Sequence, residues 1–366
     1  MNCAHHRAGR CRSCDLLGAD DPQSSREQWL GNLLGLTPSP TFRGPVEGFR
    51  DKIKIAVGGT VDRPVLGLLR PDLSGIEEIH DCPVQAEALN ARLPELAAFI
   101  TRWRLTPYDI AGRTGELKGL ILSRSPATGE SMVRFVLRSR EALDRVRLGL
   151  PELAAFDVVS VNLQPIPHAL LEGPDEIILS QKKFLHHRSA SGVTLCYSPQ
   201  SFMQTNTVVA DALYARAVEW LTPWRGKRVL DLFCGTGGFA LHLAHQHPVA
   251  GAELSASAIE AARAAADLNG AAVSFTALAA HQTLSFWTDW NPEVVVVNPP
   301  RRGLGEGLQV ILKQAPEALL YSSCSPASFE QDFALLQSQY CAKRTMIFEM
   351  FPHTQHFELL TLLVRP

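Results

Sequence analysis

Four consecutive valines, Val294–Val297, run straight into Asn298-Pro299-Pro300, and this restricts the fold more than any other stretch. A short, wholly apolar β-branched run predicts a strand buried on both faces, as in a parallel sheet covered by helices. The prolines must end it, because proline has no N–H to give to the ladder. After a helix-length segment comes a second apolar strand, Leu319–Ser323, which ends at Cys324. Open α/β sheets bind ligands at the carboxyl ends of their strands. An amide and a thiol at the ends of two adjacent strands therefore mark a candidate active site.

The rest of the carboxy-terminal half repeats the strand–helix alternation of a doubly wound sheet. Residues 228–233 (RVLDLF) read as a strand and Cys234-Gly-Thr-Gly-Gly238 as a tight turn into a helix over 239–246. Glycines there let the backbone turn sharply and approach a ligand. The turn is not GxGxxG and no lysine follows it, so pyrophosphate and triphosphate binding are disfavoured. The next strand, Val249–Glu253, ends in an acid suited to the two hydroxyls of a ribose. Ser257-x-x-Glu260 has the form of a capping box, and Gly270 closes the helix that follows. Glycine turn, ribose acid, NPP strand end and strand-end cysteine, in that order, describe an S-adenosylmethionine site in a methyltransferase sheet. Strands near 344–350 and 357–364 complete an expected seven-stranded sheet with a terminal antiparallel hairpin.

The amino-terminal half is organised differently. Cys3, Cys11 and Cys14 form C-x7-C-x2-C in a loop-like start rich in Arg and His. Two thiolates at CxxC spacing reach one metal centre, and Cys82 is the best fourth ligand. A [4Fe–4S] cluster and a structural zinc both suit four thiolates, and His5 or His6 is a possible zinc ligand. A helix near 84–103, a hairpin about Pro126–Glu130, a helix at 140–149 and a strand at 157–163 form a small α/β unit. Residues 101–150 hold ten Lys/Arg against five Asp/Glu. With Arg102, Arg104, Arg113 and Lys118, the outward face of the second hairpin strand, Arg134 and Arg138, predicts a phosphate-contacting surface. The pattern changes near 195–203. That divides the chain into an amino-terminal and central α/β domain, 1–200, with the four-cysteine metal site and the phosphate-contacting surface, and a methyltransferase domain, 201–366.

Bulk properties set limits. The formal net charge is only −2 over 366 residues, so nothing global announces nucleic acid. No apolar run approaches the roughly 18 residues of a membrane helix. The start has no apolar h-region of a signal peptide, so the expectation is a cytoplasmic protein with no membrane contact. Eight cysteines in a reducing compartment favour metal or catalytic roles over disulfides.

The motifs QSFMQTN (200–206), DLFCGTGGF (231–239), NPPRRG (298–303), YSSC (321–324) and HTQHFE (353–358) closely resemble the RNA uracil-C5 methyltransferase family. The amino-terminal cysteines resemble its branch that carries a [4Fe–4S] cluster, with a uridine in 23S ribosomal RNA as substrate. By motif, the resemblance implies that Gln204, Phe233, Glu253 and Asn298 line the S-adenosylmethionine pocket. It further implies Cys324 as nucleophile and Glu358 as base; no protein partner is implied, and a monomer is the expectation. Cys3, Cys11, Cys14 and Cys82 hold the cluster on the same reading. One departure stands out: Ser325 occupies the position where the family often has asparagine after the cysteine, which puts local orientation in question. Arg301 or Arg302 is a candidate for stabilising enolate charge.

Rival readings explain less. N-methyltransferases with an NPP segment typically place an aromatic residue next, where this chain has Arg301, and would leave Cys324 without a task. RNA cytosine-C5 enzymes commonly have a cysteine directly after Pro-Pro. The CxxxCxxC of radical S-adenosylmethionine enzymes is absent. A non-catalytic iron–sulfur RNA-binding module leaves the pocket and Cys324 unexplained.

Overall fold

The computed structural model describes all residues except 20, 73–74, 110–111, 167–171 and 283–289. The chain forms two compact units, each discontinuous in sequence. The first comprises Met1–Asp15, Pro45–His187 and Tyr197–Thr205, and the second Leu16–Gly44, Arg188–Cys196 and Asn206–Pro366. Residues 16–44 and 188–196, which precede the expected boundary, thus join the second unit, and 201–205 join the first.

The first unit is built on a seven-stranded sheet in the order Ile76–Glu78, Pro64–Leu69, Lys52–Gly59, Leu117–Arg124, Ser131–Leu137, Val158–Leu163, Asp175–Ile178. The expected hairpin is present, with Leu117–Arg124 antiparallel to Ser131–Leu137. Val133, Phe135 and Leu137 enter a core shared with Leu96, Phe99 and Ile100 of the helix Leu93–Arg102. The opposite face corrects the sequence reading. Arg134 is 2% exposed; its guanidinium is taken up by Glu176, at 2.6–2.9 Å, and by Glu172. Arg138 is held by Glu116, Arg102 pairs with Glu152 and Arg104 with Asp62. Lys118 donates to the Ile166 carbonyl at 2.5 Å. Of these cations Arg134 is withdrawn from the surface, while Arg102 and Arg104 pair with carboxylates yet stay exposed, and Arg138, also paired, stays partly exposed.

The second unit carries an eight-stranded sheet, one strand more than expected. Its strands in chain order are β1 (Ser39–Phe42), β2 (Val229–Leu232), β3 (Val249–Glu253), β4 (Val273–Ala277), β5 (Val294–Val297), β6 (Ala318–Ser323), β7 (Cys341–Phe348) and β8 (Glu358–Val364). They lie in the order β1-β7-β8-β6-β5-β2-β3-β4. β5 and β6 pair in parallel, while β8 runs antiparallel to both β6 and β7. The four valines of β5 are fully buried. The eighth strand, β1, comes from the amino-terminal half and pairs in parallel with β7, Phe42 against Phe348. Just before it in the chain, helix α1 (Gln23–Leu34) sends Leu30 into the core beside Tyr321 and Phe329. Helices α2 (Thr207–Leu221), α3 (Gly238–Leu243), α4 (Ala256–Asn269), α5 (Gly307–Gln314) and α6 (Pro326–Leu336) supply the crossovers. Gly270 closes α4 in the left-handed region as expected, but the amino-terminal cap is Ser255, whose hydroxyl accepts from Ala258 N–H, and not Ser257. Among the described residues no helix is long and apolar enough to cross a membrane.

Candidate active site

Register places the site at the carboxyl edge of the second unit's sheet. Ala252, Leu232, Val297 and Tyr321 form one rung across β3, β2, β5 and β6. One residue further along the same four strands come Glu253, Phe233, Asn298 and Ser322. Three residues predicted for the cofactor thus share one level. In the antiparallel β6–β8 pair Ser323 faces Leu359, so the next positions outward, Cys324 and Glu358, stand opposite each other. Strand pairing thus brings together side chains 34 positions apart in sequence.

On the cofactor side the glycine turn is backed by side chains. Gly235 and Gly237 have φ of +55° and +84°, a region that L side chains avoid. A Cβ on Gly237 would lie 2.8 Å from the Phe275 ring, whereas one on Gly235 would meet nothing within 4 Å. The turn is therefore packed from behind and open in front. Glu253 accepts from Gly235 N–H at 3.3 Å and Ser255 N–H at 2.9 Å, fixing its carboxylate beside the turn. Phe233 is itself in the left-handed region, φ +63°, strain of the kind that collects at ligand sites. Asp231 was not singled out from sequence. One of its oxygens accepts from Ala240 N–H at 3.0 Å, while the other is buried without a partner. Burial pushes this carboxyl up to about 8. A buried acid with an unmet acceptor beneath a glycine turn fits a ligand that brings a donor. Its position three residues before the Gly-rich turn was the available signal.

On the reaction side Cys324 is half-buried. Burial raises its thiol pKa and the facing Glu358 charge raises it further, while Arg301 opposes both through its charge and a hydrogen bond to the sulfur. Of the two candidate arginines, Arg301 is the one on the thiol. Glu358 is 2% exposed; burial lifts its carboxyl to about 7, against a hydrogen bond from Ser322 Oγ at 2.5 Å. Ser322 was also missed, although it sits two residues before the cysteine on the same strand face. The loop after Asn298 is tied down by Asp332 of α6, which accepts from Leu304 N–H at 2.9 Å and Tyr321 Oη at 2.6 Å. Ser325 settles its own question: its side chain caps α6, accepting from Ser328 N–H, as an asparagine would.

Gln204 and the four cysteines belong to the first unit. Gln204 is buried in the segment whose Ser201 carbonyl accepts from Lys52 Nζ at 2.9 Å. Cys14 feels Cys82, Cys11 and Cys3 as neighbours; burial first, then Cys82, pushes its thiol up to about 11. Cys82 is raised mainly by burial and also by Cys3, and takes hydrogen bonds from the backbone of Val84 and Gln85. Among the described residues no group of three or more His, Cys, Asp or Glu side chains is arranged to hold a metal ion. His5 spends both ring nitrogens on carboxylates, Glu77 at 2.8 Å and Asp81 at 2.7 Å, and so is taken. His6 Nδ1 is buried without a hydrogen-bond partner.

The parallel sheet with its terminal antiparallel strand, the glycine turn and the acid on β3 define a class I S-adenosylmethionine-dependent methyltransferase fold. The sequence profile of the tRNA (uracil-5-)-methyltransferase family matches residues 175–366. The chain is 42% identical over 379 residues to a protein of Shewanella amazonensis named 23S rRNA (uracil(747)-C(5))-methyltransferase RlmC, covering 100% of this chain and 98% of that one. It is 43% identical over 380 residues to the Pectobacterium carotovorum protein of the same name, covering 100% of both. Among solved structures, the Pyrococcus abyssi tRNA (uracil-54, C5)-methyltransferase in complex with S-adenosyl-L-homocysteine superposes with a TM-score of 0.82 at 26% identity, covering 97% of this chain and 86% of that one. The chain belongs to this family, enzymes of S-adenosylmethionine-dependent uracil C5 methylation.

Proposed function

We propose that this chain methylates C5 of a uridine in 23S ribosomal RNA, at the uracil-747 position for which its full-length relatives are named. One observation carries the chemistry: Cys324 and Glu358 face each other across β6 and β8, with Arg301 on the thiol. S-adenosylmethionine supplies an electrophilic methyl group when bound. Glu253 and Asn298 at the strand ends and Phe233 beside the turn are its contacts, and Asp231 offers an unmet acceptor. For Gln204 the support is its sequence motif.

Uracil C5 is a poor nucleophile, so a thiol must first activate the ring. Cys324 sulfur forms a bond to C6 while the ring's π electrons move to O4. C5 then takes the methyl group as the donor's sulfur–methyl bond breaks. Glu358 removes the C5 proton; the electron pair left behind restores the C5–C6 double bond, the C6–S bond breaks and Cys324 returns as thiolate. A carboxyl near 7 suits this step, because a base works best with a pKa near the working pH. Arg301 offsets negative charge on the thiolate and, as it moves into the ring, on the enolate.

Cys3, Cys11, Cys14 and Cys82 are proposed as ligands of a [4Fe–4S] cluster. Their mutual electrostatic neighbourhood and the engagement of His5 elsewhere support an all-thiolate set. Zinc is the second reading, favoured only by the unpartnered His6 nitrogen. The enzyme is proposed to act in the cytoplasm as a monomer. RNA carrying 5-fluorouracil in place of the target uracil should trap a covalent complex, since the fluorine cannot leave as a proton does. Cys324→Ala should abolish that complex, and an undiminished complex would sink the assignment. Mass mapping of 23S ribosomal RNA from a strain lacking the gene should show loss of methylation at one uridine, and its position tests the target.

A further inference from the structure

The loop that delivers Glu358 to the site is anchored by the amino-terminal segment, outside the residues matched by the family profile. Arg26 of α1 is 9% exposed. Its Nη2 donates to the Thr354 carbonyl at 2.8 Å, and its guanidinium lies 4.9 Å over the ring of Phe357, the residue directly before Glu358. Trp29, one turn further along α1, meets the same ring edge-on with centroids 6.3 Å apart. Three more ties fix the ends of the loop. Leu16 N–H donates to the His353 carbonyl at 2.9 Å, Gln23 Nε2 to Glu349 at 3.1 Å, and Glu349 N–H to the Phe42 carbonyl of β1 at 2.9 Å. The loop needs such restraint, because His353 sits at φ +66°, a region disfavoured for side chains with a Cβ.

We propose that Arg26 is a positioning residue for the base: by clamping Thr354 and Phe357 it sets where the Glu358 carboxylate stands over the C5 proton. The proposal rests on the reading of Glu358 as base. A charge effect is not required, since the groups that shift Glu358 are its own burial and Ser322. Proton abstraction demands placement within hydrogen-bond reach, and a misplacement of about 1 Å can cost roughly 100-fold. Thiol addition and methyl transfer precede that step and do not use Glu358, so a loosened loop should slow only the release half of the cycle.

The test uses the full-length enzyme, unmodified 23S ribosomal RNA and methyl-labelled S-adenosylmethionine. Denaturing gels report labelled protein–RNA complexes, and kcat and KM are measured in parallel for Glu358→Gln, Arg26→Ala and Arg26→Lys. Glu358→Gln should accumulate methylated covalent complex. Arg26→Ala should accumulate the same species, with kcat lowered about 10- to 100-fold and KM for RNA little changed; Arg26→Lys, which retains a donor, should recover part of the loss. Arg26→Ala should also form the 5-fluorouracil complex at the wild-type rate, which shows the early steps and the fold intact. If Glu358→Gln accumulates nothing, the base assignment falls and the proposal with it. If Glu358→Gln accumulates complex and Arg26→Ala does not, or if Arg26→Ala loses the 5-fluorouracil complex too, Arg26 is only structural and the proposal alone is overturned.

Discussion

At the scale of single residues, the site holds two carboxyls that burial has pushed up, Glu358 to about 7 and Asp231 to about 8. In the proposed role as base the ionised form of Glu358 is the useful one, so kcat should rise with pH through about 7. Ser322 donates to that ionised form and holds the pKa down; without it the pKa moves up. Ser322→Ala should therefore shift the acid limb of the rate profile to higher pH and lose more activity at pH 6.5 than at 8.5; an unshifted limb would show that the bond does not matter. For stability the sign is opposite to that of a salt-bridged acid. A carboxyl raised in the folded state contributes stability fully below its unfolded value, near 4, and loses it as pH rises through the folded value. The ligand-free protein should accordingly lose melting temperature between pH 5 and pH 9. Asp231→Asn, which removes the buried charge, should flatten that slope in thermal unfolding followed by circular dichroism.

At the scale of elements, the loop between β5 and α5 shows how a strand end becomes a site. Gly303, at φ +81°, leaves room for Asp332, whose carboxylate oxygen would stand 2.7 Å from a Cβ there. Asp332 then ties the loop to α6, the helix that starts directly after Cys324. Gly303→Ala should disturb Arg301 and the thiol together, seen as slower alkylation of Cys324 by iodoacetamide; an unchanged rate would show that the loop does not set the thiol's environment. The cap of that helix has a simpler energetics. Ser325→Ala removes one bonded acceptor and should cost about 1 kcal/mol in chemical unfolding, whereas Ser325→Asn should cost little. These elements were legible to different degrees. The valine strand, the glycine turn and the Gly270 cap follow local rules that act within a few residues. The cap at Ser255 was displaced by two because Ser257 fits the same pattern, and only the chain's path into α4 distinguishes them. Strand β1 carried no local sign of its partner.

At the scale of the whole molecule, the chain passes between its two units five times, at 15/16, 44/45, 187/188, 196/197 and 205/206. Cys14 belongs to the first unit and Leu16 to the second, so the proposed cluster segment and the segment that clamps the Glu358 loop are nearly contiguous in sequence. Protein purified without oxygen should be brown and contain iron and sulfide. Cys82→Ser should lose both and melt at lower temperature, because a ligand that binds only the folded state stabilises it. Colourless protein with one equivalent of zinc would favour the second metal reading instead.

The sequence by itself determined the sheet's buried strands, the glycine turn and the thiol at a strand end, because each is written in the spacing and chemistry of neighbouring residues, whereas Glu358 was pointed to by its motif alone. The motif match added the reaction. Only the tertiary structure decided that Cys324 and Glu358 face each other, that Arg301 and not its neighbour meets the thiol, and that Arg134 is neutralised inside the fold. It also placed residues 16–44 at the edge of the methyltransferase sheet. Each of these depends on pairing between segments tens to hundreds of residues apart, where composition and periodicity carry no information about which partner is met.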